Sequence, residues 1–347
     1  MQLLAISDNY IPAQFMQQGF ASLQPWGVKT QVRSWEQPTL IELQQANLAI
    51  EQGGPDAVVL PPELTEGLGD FDIICVQFAP LGRSVLAAAR RLKAIGVLRG
   101  GTENVAVDAA TRRNIAVLNT PGRNARAVAE CALGLILTEV RNLARGHAAL
   151  KAGLWTRDFP NRDFIPELNG RTVGLVGYGA VARLLAGYLQ ALGCRILAYD
   201  PFVQGDTTPA KLVELQTVLR EADVISLHAR LSDQTRHMIG RAELRLMKRT
   251  AVLVNTARSG LVDEQALIEV LHERAIAGAA LDVFDQEPLP AGHPLLSLDN
   301  VTLVPHVAGS TIDAFLNSPK LMAEHLRRMI AGERPLPIIN GVAPRRE

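Results

Sequence analysis

At 347 residues, 48% of them hydrophobic, the chain is long enough to bury two cores, and two domains are expected. The 35 Lys and Arg balance the 35 Asp and Glu, with no basic run interleaved with aromatics, so a nucleic-acid or membrane-surface partner is excluded and a small molecule is expected. Cys75, Cys131 and Cys194 are scattered without CxxC spacing, which argues against a disulfide framework and a zinc or other metal site and fits a reducing, cytoplasmic setting. No window approaches the roughly 18 uncharged apolar residues of a membrane span, and residues 1–10, MQLLAISDNY, hold no basic stretch leading into a long apolar segment, so no signal segment is expected.

Short β-branched runs alternate with helix-period stretches from the start. Residues 2–7 (QLLAIS), 30–35 (TQVRSW), 57–61 (AVVLP), 72–78 (DIICVQF) and 115–119 (IAVLN) predict strands, with helices over 38–52 and 85–95 between them. This alternation implies parallel βαβ units. Pro121 and Gly122 then precede a stretch that predicts one long helix from about Asn124 to Lys151, suited to connecting two domains. A polar, aromatic segment, 156–170, leads into a second alternating series from Arg171. The tail carries an amphipathic helix, 313–333, interrupted by Pro319, and a last apolar stretch, 335–340, which is expected to cross back to the first domain. No solenoid-type repeat or low-complexity segment is present.

Residues 171–201 hold the parts of a dinucleotide fold in order. A short apolar strand runs into Gly177, Gly179 and Ala182, then a helix, then a strand ending at Asp200. Gly177 permits the tight turn, Gly179 lets backbone amides approach a pyrophosphate, and Ala182 lets the helix pack close to the strand. Asp200, about 20 residues past the glycines, can accept hydrogen bonds from both ribose hydroxyls of NAD and would repel the extra phosphate of NADP.

Three later runs end strands with polar groups: Arg258 after 251–255, Asp282 and Glu287 after 276–281, and His306 after 300–304. In a parallel sheet these ends open on one edge, where ligands bind. Oxidation of a secondary alcohol needs a base for the hydroxyl proton, and histidine titrates in the right range for both directions. His306 is that base, and a carboxylate at its far ring nitrogen is the expected role of Glu287. Arg258 offers a fork of donors matched to the carboxylate of a 2-hydroxy or 2-oxo acid.

At these residues the sequence resembles the D-isomer-specific 2-hydroxyacid dehydrogenases, the family of phosphoglycerate, D-lactate, glyoxylate and hydroxypyruvate dehydrogenases. The matching motifs are NTPGRNARAVAE, VGLVGYGAVA, YDP, SLHARLSDQTRHMIG, LMKRTAVLVNTARSGLVDEQAL, GAALDVFDQEPLP and VPHVAGST, in the family's order and over essentially the whole chain. The resemblance implies an α/β protein of two flavodoxin/Rossmann-like βαβ domains. The NAD-binding domain, 122–311, would be inserted into a discontinuous substrate domain of 1–121 and 312–347. It also implies that Arg258, Glu287 and His306 form the catalytic trio. Gly177, Gly179, Ala180, Val181, Asp200, His228, Ala229, Arg230, Thr235, Thr256, Ala257, Asp282 and His306 would line the cofactor, with Asp282 near the nicotinamide carboxamide. Two chains would pair through their NAD domains as a homodimer. By the same resemblance Arg99, Gly100 and Gly101 bind the substrate carboxylate through backbone amides. The loop carrying Gln77, Phe78 and Arg83 would face the substrate and holds no clear phosphate cluster.

Departures from the family pattern are Ala182 for a third glycine and HARL for HxPL, which adds Arg230 near the cofactor. Glu287 separates the chain from formate dehydrogenases of this superfamily, which pair the histidine with glutamine. Feedback through an added regulatory domain is not expected. The alternative is an NAD(H)-sensing, corepressor-like binding protein of the same fold, which keeps the same trio.

Overall fold

The computed structural model describes residues 1–164, 166–334 and 336–343, and the chain divides into two compact units, Met1–Asn124 with Thr311–Glu347, and Ala125–Ser310. Residues 344–347, which fall in the expected substrate domain, residue 335, which opens the last apolar stretch, and residue 165 lie outside the described residues. No helix among the described residues is long and apolar enough to cross a membrane.

In the first unit five strands, β1 (Gln2–Ser7), β2 (Lys29–Ser34), β3 (Ile73–Val76), β4 (Ala94–Val97) and β5 (Ala116–Asn119), form a parallel sheet in the order β2-β1-β3-β4-β5. Side chains alternate between faces, and both faces of β1, β3, β4 and β5 are covered, so these strands are mostly apolar, while the edge strand β2, KTQVRS, stays largely exposed. Leu4, Ile6, Ile74, Val76, Ile95 and Val97 pack on one side. Leu3, Ala5, Ile73, Cys75, Ala94 and Ala116 pack on the other with Met322, Ala323 and Leu326 of the helix Ile312–Ile330. That helix presses so close that a Cβ on Gly96 would lie 2.8 Å from the Met322 sulfur.

The second unit holds a seven-stranded parallel sheet of β6 (Thr172–Val176), β7 (Arg195–Tyr199), β8 (Lys211–Leu212), β9 (Val224–Leu227), β10 (Val252–Asn255), β11 (Gly278–Leu281) and β12 (Val301–Leu303). Their order is β12-β11-β10-β9-β6-β7-β8. The chain builds outward from β6 to β8, then returns to build from β9 to β12. The direction therefore reverses between β6 and β9, which is where a doubly wound sheet opens a crevice.

Four expectations are corrected. Residues 57–61 form a loop, not a strand: Gly53, Gly54 and Pro55 turn the chain, Val59 stands in solvent, and Leu60 is buried in the core with Val58 packed against it. The helix expected over 85–95 is Arg83–Ala88, because Ala94–Val97 is taken up as β4 between β3 and β5, and pairing on both sides overrides local helix period. The long connector is two helices, Ala125–Val140 and Leu143–Lys151, parted at Asn142. Asn142 adopts φ 56°, a left-handed conformation that asparagine tolerates, and its Nδ2 donates to Asn161 Oδ1 at 2.6 Å. The tail helix Ile312–Ile330 runs unbroken through Pro319, whose ring packs into the space left by Gly19 of the helix Ala13–Phe20.

Candidate functional site

The glycine loop follows β6. Gly177 has φ +89°, and a Cβ there would lie 2.5 Å from the Ala229 backbone nitrogen, so only glycine lets the loops after β6 and β9 approach this closely. Cross-bonds fix the approach: Gly177 N–H donates to Tyr199 O at 2.8 Å and His228 N–H to Val176 O at 2.7 Å. Gly179 then caps the helix Ala180–Ala191 with no side-chain capping bond, and no atom lies within 4 Å of where its Cβ would be. Ala180 is exposed, Val181 half-buried and Ala182 fully buried against the sheet. A helix start with unmet N–H groups thus faces open space, an arrangement that favours an anion.

Asp200, half-buried at the end of β7, accepts from Tyr178 N–H at 2.8 Å through Oδ2 and from Phe202 N–H at 2.9 Å through Oδ1. The carboxylate is thereby tied to the glycine loop itself. Beyond β9, His228 Nε2 meets Ser226 Oγ at 2.9 Å, and burial drives its pKa down to about 4, so the ring is neutral. Ala229 is half-buried and Arg230 exposed. The Thr235 hydroxyl closes its own loop, donating to Arg230 O at 2.7 Å and accepting from Ser232 N–H at 2.8 Å.

β10 ends at Asn255, which is buried and acts as a fastener. Its Oδ1 accepts from Ala257 N–H at 3.0 Å and its Nδ2 donates to Arg258 O at 2.9 Å, pinning the turn Thr256–Arg258. Within that turn the Thr256 hydroxyl is buried without a partner. The Arg258 side chain is exposed, and Nη1 donates to Ala257 O at 2.7 Å. β11 delivers Asp282, whose two oxygens accept from Val307 N–H at 2.6 Å and Ala308 N–H at 3.1 Å. Burial raises its pKa against the pull of those two donors. Asp282 therefore holds the backbone just past His306.

Glu287 and His306 meet here. Glu287 Oε2 lies 2.7 Å from His306 Nδ1, while Oε1 accepts from Phe284 N–H at 3.0 Å. The hydrogen bond to Glu287 raises the His306 pKa; burial opposes, the charges of Glu287 and Asp282 add to the rise, and Arg258 subtracts from it. Burial would raise Glu287, but the bond and charge of His306, helped by Phe284 N–H and Arg258, hold it below the usual range. His306 sits at φ 52°, a left-handed conformation costly for a β-substituted residue, which the Asp282 anchor holds in place. Nδ1 is taken by the carboxylate, which leaves Nε2 as the nitrogen for proton exchange.

The sheet edge of the second unit thus gathers Arg258, Glu287, His306, Asp282 and the glycine loop. Asn255, absent from the sequence expectations, has a signal that could have found it: an Asn at a strand end whose side chain bonds the backbone two residues on, the Asx turn. In the first unit Gln77 follows β3 and is fully buried, and Gly100 is exposed. The Arg99 guanidinium is occupied by Glu103 at 2.7 Å and Glu51 at 3.3 Å, and a Cβ on Gly101 would collide with the Glu103 carboxylate.

The family model described as D-isomer specific 2-hydroxyacid dehydrogenase, NAD binding domain, matches residues 133–308. The chain belongs to this family. The glyoxylate reductase of Thermofilum pendens is 39% identical over 80% of this chain and 84% of its own. The D-3-phosphoglycerate dehydrogenase of Methanocaldococcus jannaschii is 39% identical over 80% of this chain, which spans 53% of that protein. Among solved structures, a D-lactate dehydrogenase with NAD+ from Lactobacillus jensenii superposes with a TM-score of 0.76 at 26% identity, over 98% of this chain and 99% of its own. The residues present fit the family's dinucleotide. A Cβ would fill the cradle at Gly177, the helix start beyond Gly179 is open, and the buried Thr256 hydroxyl lacks a partner.

Proposed function

We propose that this chain is an NAD-dependent D-2-hydroxyacid dehydrogenase that reduces 2-oxo acids and runs the reverse oxidation. The observation that carries this reading is the 2.7 Å Glu287–His306 pair, with Arg258 acting electrostatically on both, at the ligand edge of a dinucleotide-type sheet. Family membership supports the D configuration. On this reading 122–311 is the NAD-binding domain, and 1–121 with 312–347 is the substrate domain, where Gln77, Arg99, Gly100 and Gly101 contact the substrate. Gly177, Gly179, Ala180, Val181, Asp200, His228, Ala229, Arg230, Thr235, Thr256, Ala257 and Asp282 hold the cofactor.

Bound NAD supplies the hydride acceptor, and NADH the donor. In the reductive direction His306, whose pKa the bond to Glu287 raises, gives the Nε2 proton to the substrate oxygen as it becomes a hydroxyl. Glu287 fixes the tautomer and stabilises the imidazolium. Arg258 grips the carboxylate and polarises the carbonyl. We further propose a homodimer through the NAD domain, supported by the exposed Leu143, Leu150, Leu154 and Trp155 of that unit.

The test is NADH oxidation by the purified protein against glyoxylate, hydroxypyruvate, pyruvate, branched 2-oxo acids, phosphohydroxypyruvate and the 2-oxo forms of four-carbon sugar acids. Turnover of at least one is expected; silence across all of them with NADH tightly bound would favour the sensing alternative. Fluorescence titration should also show NADPH binding at least about tenfold more weakly than NADH, because its extra phosphate meets the Asp200 carboxylate. Equal affinities would remove Asp200 from that role.

A further inference from the structure

The first unit carries unmet polar groups that the proposed chemistry at His306 does not use. Its sheet order reverses between β1 and β3, so the crevice of that unit opens outside the ends of these two strands. Asp8 follows β1 and Gln77 follows β3. Asp8 Oδ1 accepts from Tyr10 and Ile11 N–H, each at 2.9 Å, and the Phe78 N–H also pulls on the carboxylate, while Oδ2 is buried without a hydrogen bond of normal geometry. Gln77 is fully buried, and neither its Oε1 nor its Nε2 has a partner. Arg99 Nε, one strand over, is a third such group.

Aromatic rings and a second guanidinium stand beside them. The Tyr10 ring lies 5.0 Å from Phe315, stacked, and 6.0 Å from Phe78, with Arg99 5.2 Å above Phe78 and Arg123 5.6 Å above Phe315. Alternation along β3 puts Gln77 on the face of Ile73 and Cys75, the face covered by the helix that carries Phe315. Arg123 donates to Ser318 Oγ at 3.1 Å, and its charge acts on Asp8.

The orphaned groups include both acceptors, Asp8 Oδ2 and Gln77 Oε1, and donors, Gln77 Nε2 and Arg99 Nε. A hydroxyl both donates and accepts, so a run of hydroxyls answers all of them. An apolar tail leaves every one unpaired. An anionic tail satisfies only donors and faces Asp8, while the charge of Arg99 is already met by Glu51 and Glu103 and that of Arg123 acts on Asp8 itself. Asp8 also lines a cavity of about 420 Å³ whose other walls, Asn9, Pro12, Glu36, Pro38, Thr39 and Leu40, carry no positive charge. We propose that this crevice binds the tail of a polyhydroxylated 2-oxo or 2-hydroxy acid, with Asp8 and Gln77 reading hydroxyls on the carbons beyond C2. Burial raises the Asp8 pKa to about 6, the backbone donors and Arg123 opposing, so near neutrality it remains mainly an acceptor.

This inference rests on the dehydrogenase reading. Its test compares three four-carbon acids of one C2 configuration with saturating NAD: D-erythronate, D-2-hydroxybutanoate and D-malate. The kcat/KM for D-erythronate is expected to exceed that for D-2-hydroxybutanoate by at least about tenfold, since a site built for hydroxyls rejects the analogue lacking them. That ratio, taken within each variant so that a general loss cancels, should fall about tenfold in Asp8→Asn and in Gln77→Met. A wild-type ratio near one, or a preference for D-malate, overturns the inference, as does a ratio unchanged in both variants. If the 2-oxo acid panel turns over and D-erythronate does not, the inference alone falls. If nothing turns over, the dehydrogenase reading falls with it.

Discussion

Replacing His306 with Ala is expected to lower turnover by about 100- to 10,000-fold while NADH still binds, the usual range for loss of a general acid-base. The side chain is exposed and contributes little to the core, so the loss is one of chemistry rather than folding. The pH profile carries the sign. The Glu287 bond raises the His306 pKa above its ordinary value. Reduction needs the imidazolium, so kcat/KM for the 2-oxo acid should be full below that raised pKa and fall as pH rises through it. Oxidation needs the neutral ring and should rise over the same interval. Glu287→Gln keeps a group of similar shape beside Nδ1 but removes the charge, so both limbs should move to lower pH. Comparable turnover in His306→Ala, or limbs unmoved in Glu287→Gln, would take the proton transfer away from this pair.

The glycine loop was legible because local chemistry dictates it: Gly177 needs a positive φ and a missing Cβ, and both show in a single letter. The strand ends bearing Arg258, Glu287 and His306 were legible because apolar runs stop abruptly at a polar residue, and parallel strands end on one edge. What stayed hidden depends on partners far along the chain. Asp282 bonds the amides of Val307 and Ala308, 25 and 26 residues on, and no spacing announces that this carboxylate also anchors backbone. β4 was concealed for a related reason. Residues 85–95 have helical period, and only the slot between β3 and β5 makes 94–97 extended. The break at Asn142 follows from one side-chain amide meeting Asn161 across a loop, which helix propensity does not record.

Arg258→Lys is expected to lower kcat/KM by about 100-fold even though the charge is kept. The reason is geometric: Asn255 pins the turn, Nη1 of Arg258 is bound to Ala257 O, and the rest of the planar fork stays available to a carboxylate. An ammonium has no fork, so it cannot hold Ala257 O and present two parallel donors at once. Charge and shape then separate in the pH profile. Arg258 lowers the His306 pKa, so Arg258→Ala should shift the descending limb of reduction to higher pH, whereas Arg258→Lys should leave it close to wild type. A wild-type KM and kcat in Arg258→Lys would show that positive charge suffices and would rule out bidentate binding. A large loss with an unmoved limb identifies the fork, rather than the field around His306, as what Arg258 contributes.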